Sequence, residues 1–265
     1  MNKLEQLKLK WRNKMSTRIK DQENKWGRAV IAAKLSAIAY KSEKAAVADC
    51  KKLGFPWAKL ISKDGAEVLV AKDRNDLWFA FRGTEPSKLN DVMADLNVIK
   101  GAAMAGGKVH SGFQKEVNDL WMDVLAEIEH NNQLKVKKDV YFTGHSLGAA
   151  MATISATRYK PEELFTFGSP RVGGAKFIKN ITCKHYRFMN NNDIVCRIPP
   201  AWLGFRHHGE MIYFNSEGIH QAKPTWKDLF KGILNSWKRW KFFDGIVDHG
   251  MPNYVRALNK LKKAK

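Results

Sequence analysis

The match to G-x-S-x-G at residues 144–148 (GHSLG) constrains the fold of this chain more than any other feature. The β-rich run at 140–143 predicts a strand before it, and the Ala-rich run at 147–159 predicts a helix after it. A serine that projects from a sharp strand-to-helix turn has a strained backbone, and small flanking residues let the strand and helix pass each other. This context favours a nucleophilic Ser146 over an ordinary structural turn.

Alternating strands and helices surround this turn. Strands are predicted at 67–71, 77–81, 139–143, 164–167 and 185–189, and helices at 28–40, 113–131, 147–159 and 254–262. This alternation predicts an α/β fold with a mostly parallel central sheet covered by helices. Since no internal repeat or flexible linker interrupts the chain, we expect one domain over 1–265 with elaborated N- and C-terminal segments.

The two elaborated segments are basic and amphipathic. Residues 1–27 carry apolar side chains at helical spacing in a basic background and predict an amphipathic helix. Residues 223–243 form a basic, Trp-rich helical insertion, in which Trp226, Trp237 and Trp240 share a periodicity of 3.6 residues. This insertion is open to two interpretations: a cover helix packed on the core, or an interfacial helix that acts as a second lid.

The charge of the chain favours an anionic partner. The formal net charge is +20 and the isoelectric point is about 9.8. Nucleic acid, an acidic membrane surface and an acidic protein all fit such a charge. No basic segment matches a recognised nucleic-acid motif. We therefore expect peripheral contact with an anionic membrane and no nucleic acid.

The cysteines and the N-terminus bear on the compartment. Cys50, Cys183 and Cys196 are too few and too widely spaced for a disulfide framework or a zinc site. The first twenty residues are charged throughout and lack the apolar region of a signal peptide. No stretch approaches the roughly 20 apolar residues of a transmembrane helix. The expectation is a cytoplasmic protein, with export by a signal-independent route still open, that requires no metal and no cofactor.

A serine hydroxyl needs a base to take its proton, and the base needs a carboxylate to orient it. In chains with this type of turn the order is serine, acid, histidine. Asp193 follows the predicted strand at 185–189 and is the candidate acid. Four histidines lie beyond it as candidate bases: His207, His208, His220 and His249. Position alone favours His249, in a loop ahead of the last helix, but leaves the others open.

Five segments together resemble the class 3 (fungal-type) lipase family. They are 81–84 (FRGT), 108–113 (KVHSGF), 144–148 (GHSLG), 165–173 (FTFGSPRVG) and 192–195 (NDIV), and their order and spacing match the family across residues 29–258. The resemblance implies an α/β-hydrolase fold and a catalytic triad of Ser146, Asp193 and His249. Asp248-His249 followed by Tyr254 matches the family's last motif, whereas His208 matches a position that is not the base.

The negative oxygen of the transition state needs two donors. The backbone N–H of Leu147, the residue after the nucleophile, supplies one. The resemblance implies that Thr84 supplies the other, and that residues 85–93 correspond to the lid. That stretch contains Lys88 and Asp91 and few large apolar residues, which argues against a strongly hydrophobic lid. His110 is interpreted as a buried structural histidine.

These features predict a serine hydrolase that cleaves carboxylic esters of lipids, acylglycerols or phospholipids, through an acyl-enzyme intermediate. One alternative is a delivered antibacterial phospholipase toxin, with which the absence of a signal peptide is compatible. Another is a non-catalytic lipid-binding protein on the same fold, which the loss of any triad or oxyanion residue would have favoured. Acyl-chain length, head group and regiospecificity depend on pocket shape and stay open.

Overall fold

The computed structural model describes residues 5–6, 24–85, 100–104, 106–135, 137–221 and 244–264. The helices are α1 Lys25–Ile38, α2 Glu43–Leu53, α3 Ser111–Asn132, α4 Leu147–Arg158, α5 Ala175–Ile178, α6 Asp244–His249 and α7 Met251–Ala264. The strands are β1 Trp57–Lys63, β2 Ala66–Lys72, β3 Asp76–Phe81, β4 Lys100–Ala102, β5 Lys108–His110, β6 Asp139–His145, β7 Glu163–Phe167, β8 Lys184–Asn190, β9 Glu210–Phe214 and β10 His220–Gln221.

Eight strands form one sheet in the order β1-β2-β3-β6-β7-β8-β9-β10. The five central strands, from β3 to β9, run parallel, and β1, β2 and β10 are antiparallel additions at the two edges. Because parallel strands all end at the same edge, the turns after β6 and β8 lie on one side of the sheet, where ligands bind in such folds. Ser146 and Asp193 follow these two strands.

Helices cover both faces of the sheet. On one face, α1 and α7 pack over alternate strand residues such as Trp78, Tyr141 and Phe165. On the other face, α3 and α4 pack over the intervening residues, such as Phe79 and Phe142. The central strands are therefore apolar on both sides, as buried parallel strands require.

The predicted strands correspond to β2, β3, β6, β7 and β8, and the predicted helices to α1, α3, α4 and α7. One local prediction was wrong: His249 is the last residue of helix α6 and does not lie in a loop. Most of the predicted helix at 1–27, the insertion at 223–243 and the lid segment after Glu85 lie outside the described residues. No helix in the described ranges is long and apolar enough to cross a bilayer.

Candidate active site

Ser146 lies at a sharp turn between β6 and α4. Its backbone has φ 59° and ψ −129°, a left-handed conformation that is costly for a residue with a side chain. The turn needs glycine on both sides, because a Cβ on Gly144 would lie 2.3 Å from the Gly148 carbonyl oxygen, and a Cβ on Gly148 would lie 2.1 Å from that of Phe81. The geometry is that of a nucleophile elbow, with the serine hydroxyl at the N-terminus of α4.

His249 and Asp193 form a buried pair. The His249 Nδ1 lies 3.0 Å and 2.9 Å from the two carboxylate oxygens of Asp193. The Val195 amide also donates to Asp193 Oδ1 at 2.9 Å, and the Tyr254 hydroxyl donates to Oδ2. Burial acts to raise the pKa of Asp193, but the charge and hydrogen bond of His249 and the Tyr254 hydroxyl outweigh it, so the pKa is lowered. Asp193 is therefore ionised and can hold Nδ1 protonated.

This pairing leaves the other imidazole nitrogen available for chemistry. Both His249 Nε2 and Ser146 Oγ are buried, and neither has a hydrogen-bond partner among the described residues. A buried polar atom without a partner is destabilising, so such atoms call for a functional explanation. Before substrate binds, a general base needs an available acceptor nitrogen and a nucleophile needs an available hydroxyl. His249 Nε2 and Ser146 Oγ meet these two requirements.

A second histidine fixes the backbone of the first. His145 Nε2 donates to the His249 carbonyl oxygen at 2.7 Å, and its Nδ1 accepts from the Tyr40 hydroxyl at 2.8 Å. Burial, reinforced by the charge of His249, lowers the pKa of His145 to about 3. His145 is therefore a neutral link between the elbow and the last turn of α6.

Asp248 ties the loop of the candidate acid to the helix of the candidate base. Its carboxylate accepts from Asn191 Nδ2 at 2.9 Å and from the Asn192 amide at 3.2 Å. Its carbonyl oxygen accepts from Asn190 Nδ2 at 2.9 Å. These three hydrogen bonds fix the distance between two segments that are 56 residues apart in the chain.

The two candidate oxyanion residues flank the elbow. Leu147 is the first residue of α4, so its N–H belongs to the free N-terminal turn of that helix. The chain just before Thr84 passes over the nucleophile, since a Cβ on Gly83 would lie 3.1 Å from the Ser146 Cβ. The Gly83 backbone also lies beside the Tyr40 hydroxyl, since a Cβ on Gly83 would lie 2.5 Å from that oxygen, which connects this strand end to His145. Thr84 itself is half-buried and lines a cleft of about 310 Å³.

Sequence reasoning missed three residues that hold the site together: Tyr40, His145 and Gly168. Gly168 has φ +57°, and a Cβ there would lie 2.7 Å from Asp193 Oδ2 and from two atoms of the His249 ring. Its position at the end of β7, in a segment that carried the family resemblance, was the available signal. For Tyr40 and His145 no local pattern predicts contacts with partners more than 100 residues away.

The other histidines have different surroundings. His208 Nδ1 lies 3.2 Å from His185 Nδ1, and His207 Nε2 donates to the Cys196 carbonyl at 2.8 Å. His220 stacks edge-on against Trp26, and the His110 ring is buried against Phe113. Of the histidines considered after Asp193, the structure brings His249 to that carboxylate.

Among the described residues, no group of three or more His, Cys, Asp and Glu side chains is arranged to hold a metal ion. The three cysteines are buried and unpaired.

The parallel sheet, the serine elbow and the buried Asp193–His249 pair define an α/β-hydrolase. Residues 78–202 match the model of the family Lipase (class 3). The structure of the triacylglyceride lipase from Rhizomucor miehei superposes with a TM-score of 0.61 and 27% identity, over 71% of this chain and 79% of that one. A second solved structure, described as a triacylglycerol lipase whose catalytic centre is a serine protease triad, gives a TM-score of 0.59 and 25% identity, over 71% of this chain and 79% of that one.

In sequence, the Rhizomucor miehei lipase is 29% identical over 65% of this chain and 51% of its own length. The chain spans about half the length of the curated relatives it matches. The family model, the relatives and the solved structures agree, and they confirm the predicted resemblance to the class 3 lipases and the predicted α/β-hydrolase fold.

Proposed function

We propose that this protein hydrolyses carboxylic esters of lipids, with Ser146 as nucleophile, His249 as general base and Asp193 as the orienting acid. One observation carries the proposal. A strained serine elbow lies beside a buried imidazole whose Nδ1 is held by an ionised carboxylate and whose Nε2 has no partner in the described residues. This arrangement supports nucleophilic catalysis better than it supports a stable non-catalytic core.

In the first half of the reaction, His249 Nε2 takes the proton of Ser146 Oγ as the oxygen attacks the ester carbonyl. The negative charge that develops on the carbonyl oxygen is stabilised by the Leu147 N–H and by Thr84. The imidazolium then gives its proton to the alcohol oxygen as the ester bond breaks. The alcohol leaves, and the acyl group stays on Ser146.

In the second half, a water molecule replaces the alcohol. His249 takes a proton from the water, whose oxygen attacks the acyl carbon and forms a second tetrahedral species. Its collapse returns the proton to Ser146 Oγ and releases the fatty acid. Asp193 stabilises the imidazolium in both halves and keeps its own charge, as its lowered pKa requires.

The proposed substrate is a lipid ester, an acylglycerol or a phospholipid. The solved structures that this chain resembles are described as triacylglyceride and triacylglycerol lipases, which supports an acylglycerol. The formal charge of +20 favours an anionic lipid surface and supports a phospholipid. Residues 223–243 remain our candidate for an interfacial helix, and loss of vesicle binding in Trp237→Ala/Trp240→Ala would support that role.

The test is fatty-acid release from triglyceride, monoglyceride, phospholipid and short-chain p-nitrophenyl esters. Ser146→Ala should lower kcat by roughly 10⁶, the scale seen when a serine nucleophile is removed. Its circular dichroism and unfolding midpoint should match those of the unsubstituted protein. Appreciable turnover by purified, folded Ser146→Ala would contradict the mechanism, and inactivity of the unsubstituted protein on all four classes would contradict the function.

A further inference from the structure

A short 3₁₀ turn, Ala201–Leu203, presents a tryptophan to solvent. The side chain of Trp202 is 82% exposed, the largest value among the large apolar residues in the described ranges. Tryptophan is enriched at interfaces because its ring contributes a large apolar area and one polar N–H. The exposed indole is therefore a candidate contact residue.

The turn is held in place by arginine side chains. Arg206 Nη1 donates to the Ala201 carbonyl at 2.6 Å, and Arg171 Nη1 donates to the Pro199 carbonyl at 3.0 Å. Gly204 ends the turn with φ +79°, and the Arg206 amide bonds the Gly173 carbonyl at 2.8 Å. Because hydrogen bonds hold the turn on both sides, the folded loop keeps the Trp202 side chain exposed.

The same arginines make the surface cationic. Arg197 and Arg206 are exposed and Arg171 is half-buried, and within the described residues none of the three has a carboxylate partner. They bond instead to carbonyl groups, and Arg197 to the Asn192 side-chain oxygen at 3.1 Å. Burial first, and then repulsion by Arg206 and Arg197, act to lower the pKa of Arg171, as expected for a guanidinium with two cationic neighbours.

We propose that Trp202, with Arg171, Arg197 and Arg206, forms a docking surface for an anionic phospholipid bilayer. An indole suits the headgroup region because it has an apolar body and one polar N–H. A guanidinium group can bind two phosphate oxygens through two parallel hydrogen bonds. Arginines that bond to carbonyl groups and have no acidic partner keep part of this capacity. The surface includes no residue of 85–93 or 223–243, and the choice of a lipid partner rests on the proposed function.

The position of the surface fits a role in delivering substrate. Trp202 belongs to the loop that follows β8, and that loop also carries Asp193. The 3₁₀ turn at Val195–Arg197, between the two residues, packs against α6, which ends at His249. Docking through Trp202 therefore places a membrane against the loop that forms part of the catalytic site.

The experiment measures vesicle binding in a background that cannot degrade the vesicles. Ser146→Ala protein is co-sedimented with phosphatidylglycerol and with phosphatidylcholine vesicles over a range of salt concentrations. Adding Trp202→Ala should weaken binding to phosphatidylglycerol roughly ten-fold, as expected for the loss of an interfacial indole. Adding Arg197→Gln should weaken binding and flatten its salt dependence. Trp57→Ala, at the exposed edge strand β1, is the matched control and should bind as the background does.

Three vesicle results would overturn the proposal: unchanged binding after Trp202→Ala, an equal loss after Trp57→Ala, or equal binding to both vesicle types. Sedimentation velocity tests a second copy of the chain as occupant, and self-association that disappears with Trp202→Ala would also overturn it. With Ser146 intact, Trp202→Ala should keep full activity on a soluble p-nitrophenyl ester. Failure of ester hydrolysis would refute the proposed function, and the vesicle result would still decide the docking surface.

Discussion

Mild acid should destabilise this protein through its buried neutral histidines. His145 is 4% exposed, and burial with the charge of His249 lowers its pKa to about 3, against about 6.5 in an unfolded chain. Between these values the unfolded state binds a proton that the folded state does not. The stabilisation is therefore complete above pH 6.5 and is lost as the pH falls toward 3. Asp193, whose pKa is lowered, loses its contribution only in stronger acid.

The magnitude follows from proton linkage. From pH 7.5 to 5.5, the His145 contribution to the free energy of unfolding should fall by about 1.4 kcal/mol. Burial also lowers the pKa of His207 to about 3, so its effect has the same sign. Urea unfolding followed by tryptophan fluorescence at the two pH values measures the total loss.

A variant isolates the share of one histidine. In His145→Gln the loss between pH 7.5 and 5.5 should be smaller by about 1.4 kcal/mol, because the titrating group is absent. His130→Gln, at an exposed position near the end of α3, is the control and should keep the full loss. The reasoning is refuted if His145→Gln loses as much stability as the unsubstituted protein. If His145→Gln does not fold, His207→Gln allows the same comparison.

Three further predictions concern the proposed catalytic site. His249→Ala and Asp193→Asn should lower kcat on a p-nitrophenyl ester by several orders of magnitude, whereas His208→Ala should stay active. The reverse pattern in folded proteins would show that the base is misassigned. Tyr254→Phe should lower the free energy of unfolding by roughly 1–3 kcal/mol, because a buried carboxylate loses a donor; an unchanged urea midpoint would contradict this. EDTA should leave ester hydrolysis unchanged, since the proposed triad supplies nucleophile and base, and clear inhibition would contradict a metal-free mechanism.

The central strands and the main helices were predictable because their signals are local. Strands such as β6 and β7 centre on aromatic and β-branched residues, and α4 is rich in Ala. The serine elbow was predictable because its backbone strain demands small residues at fixed positions. Asp193 was predictable because it follows a strand in the expected chain order, while the choice of His249 needed the family resemblance.

The missed elements have weak local signals. β1 is an edge strand with no fully buried residue, and α2 buries only Ala46 and Cys50, so neither shows a strong apolar period. The short α6 was taken for a loop because it has six residues, too few for a helical repeat. The support of the site was missed for a different reason. Tyr40 reaches His145 from 105 residues away, a contact that the packing of α1 against the sheet creates.

The positions of these residues along the chain suggest that different segments determine the type of reaction and the choice of substrate. The groups proposed to carry out the chemistry lie at the ends of β3, β6 and β8 and at the end of α6, where hydrogen bonds from Tyr40, His145 and Asp248 hold them in one geometry. Residues 85–93, which depart from the family pattern, directly follow Thr84. Residues 223–243, for which the family offers no precedent, end just before α6. Since a rigid scaffold commonly carries the reaction and its loops carry the specificity, we propose that these two segments, which adjoin Thr84 and α6 in the sequence, set the choice of lipid.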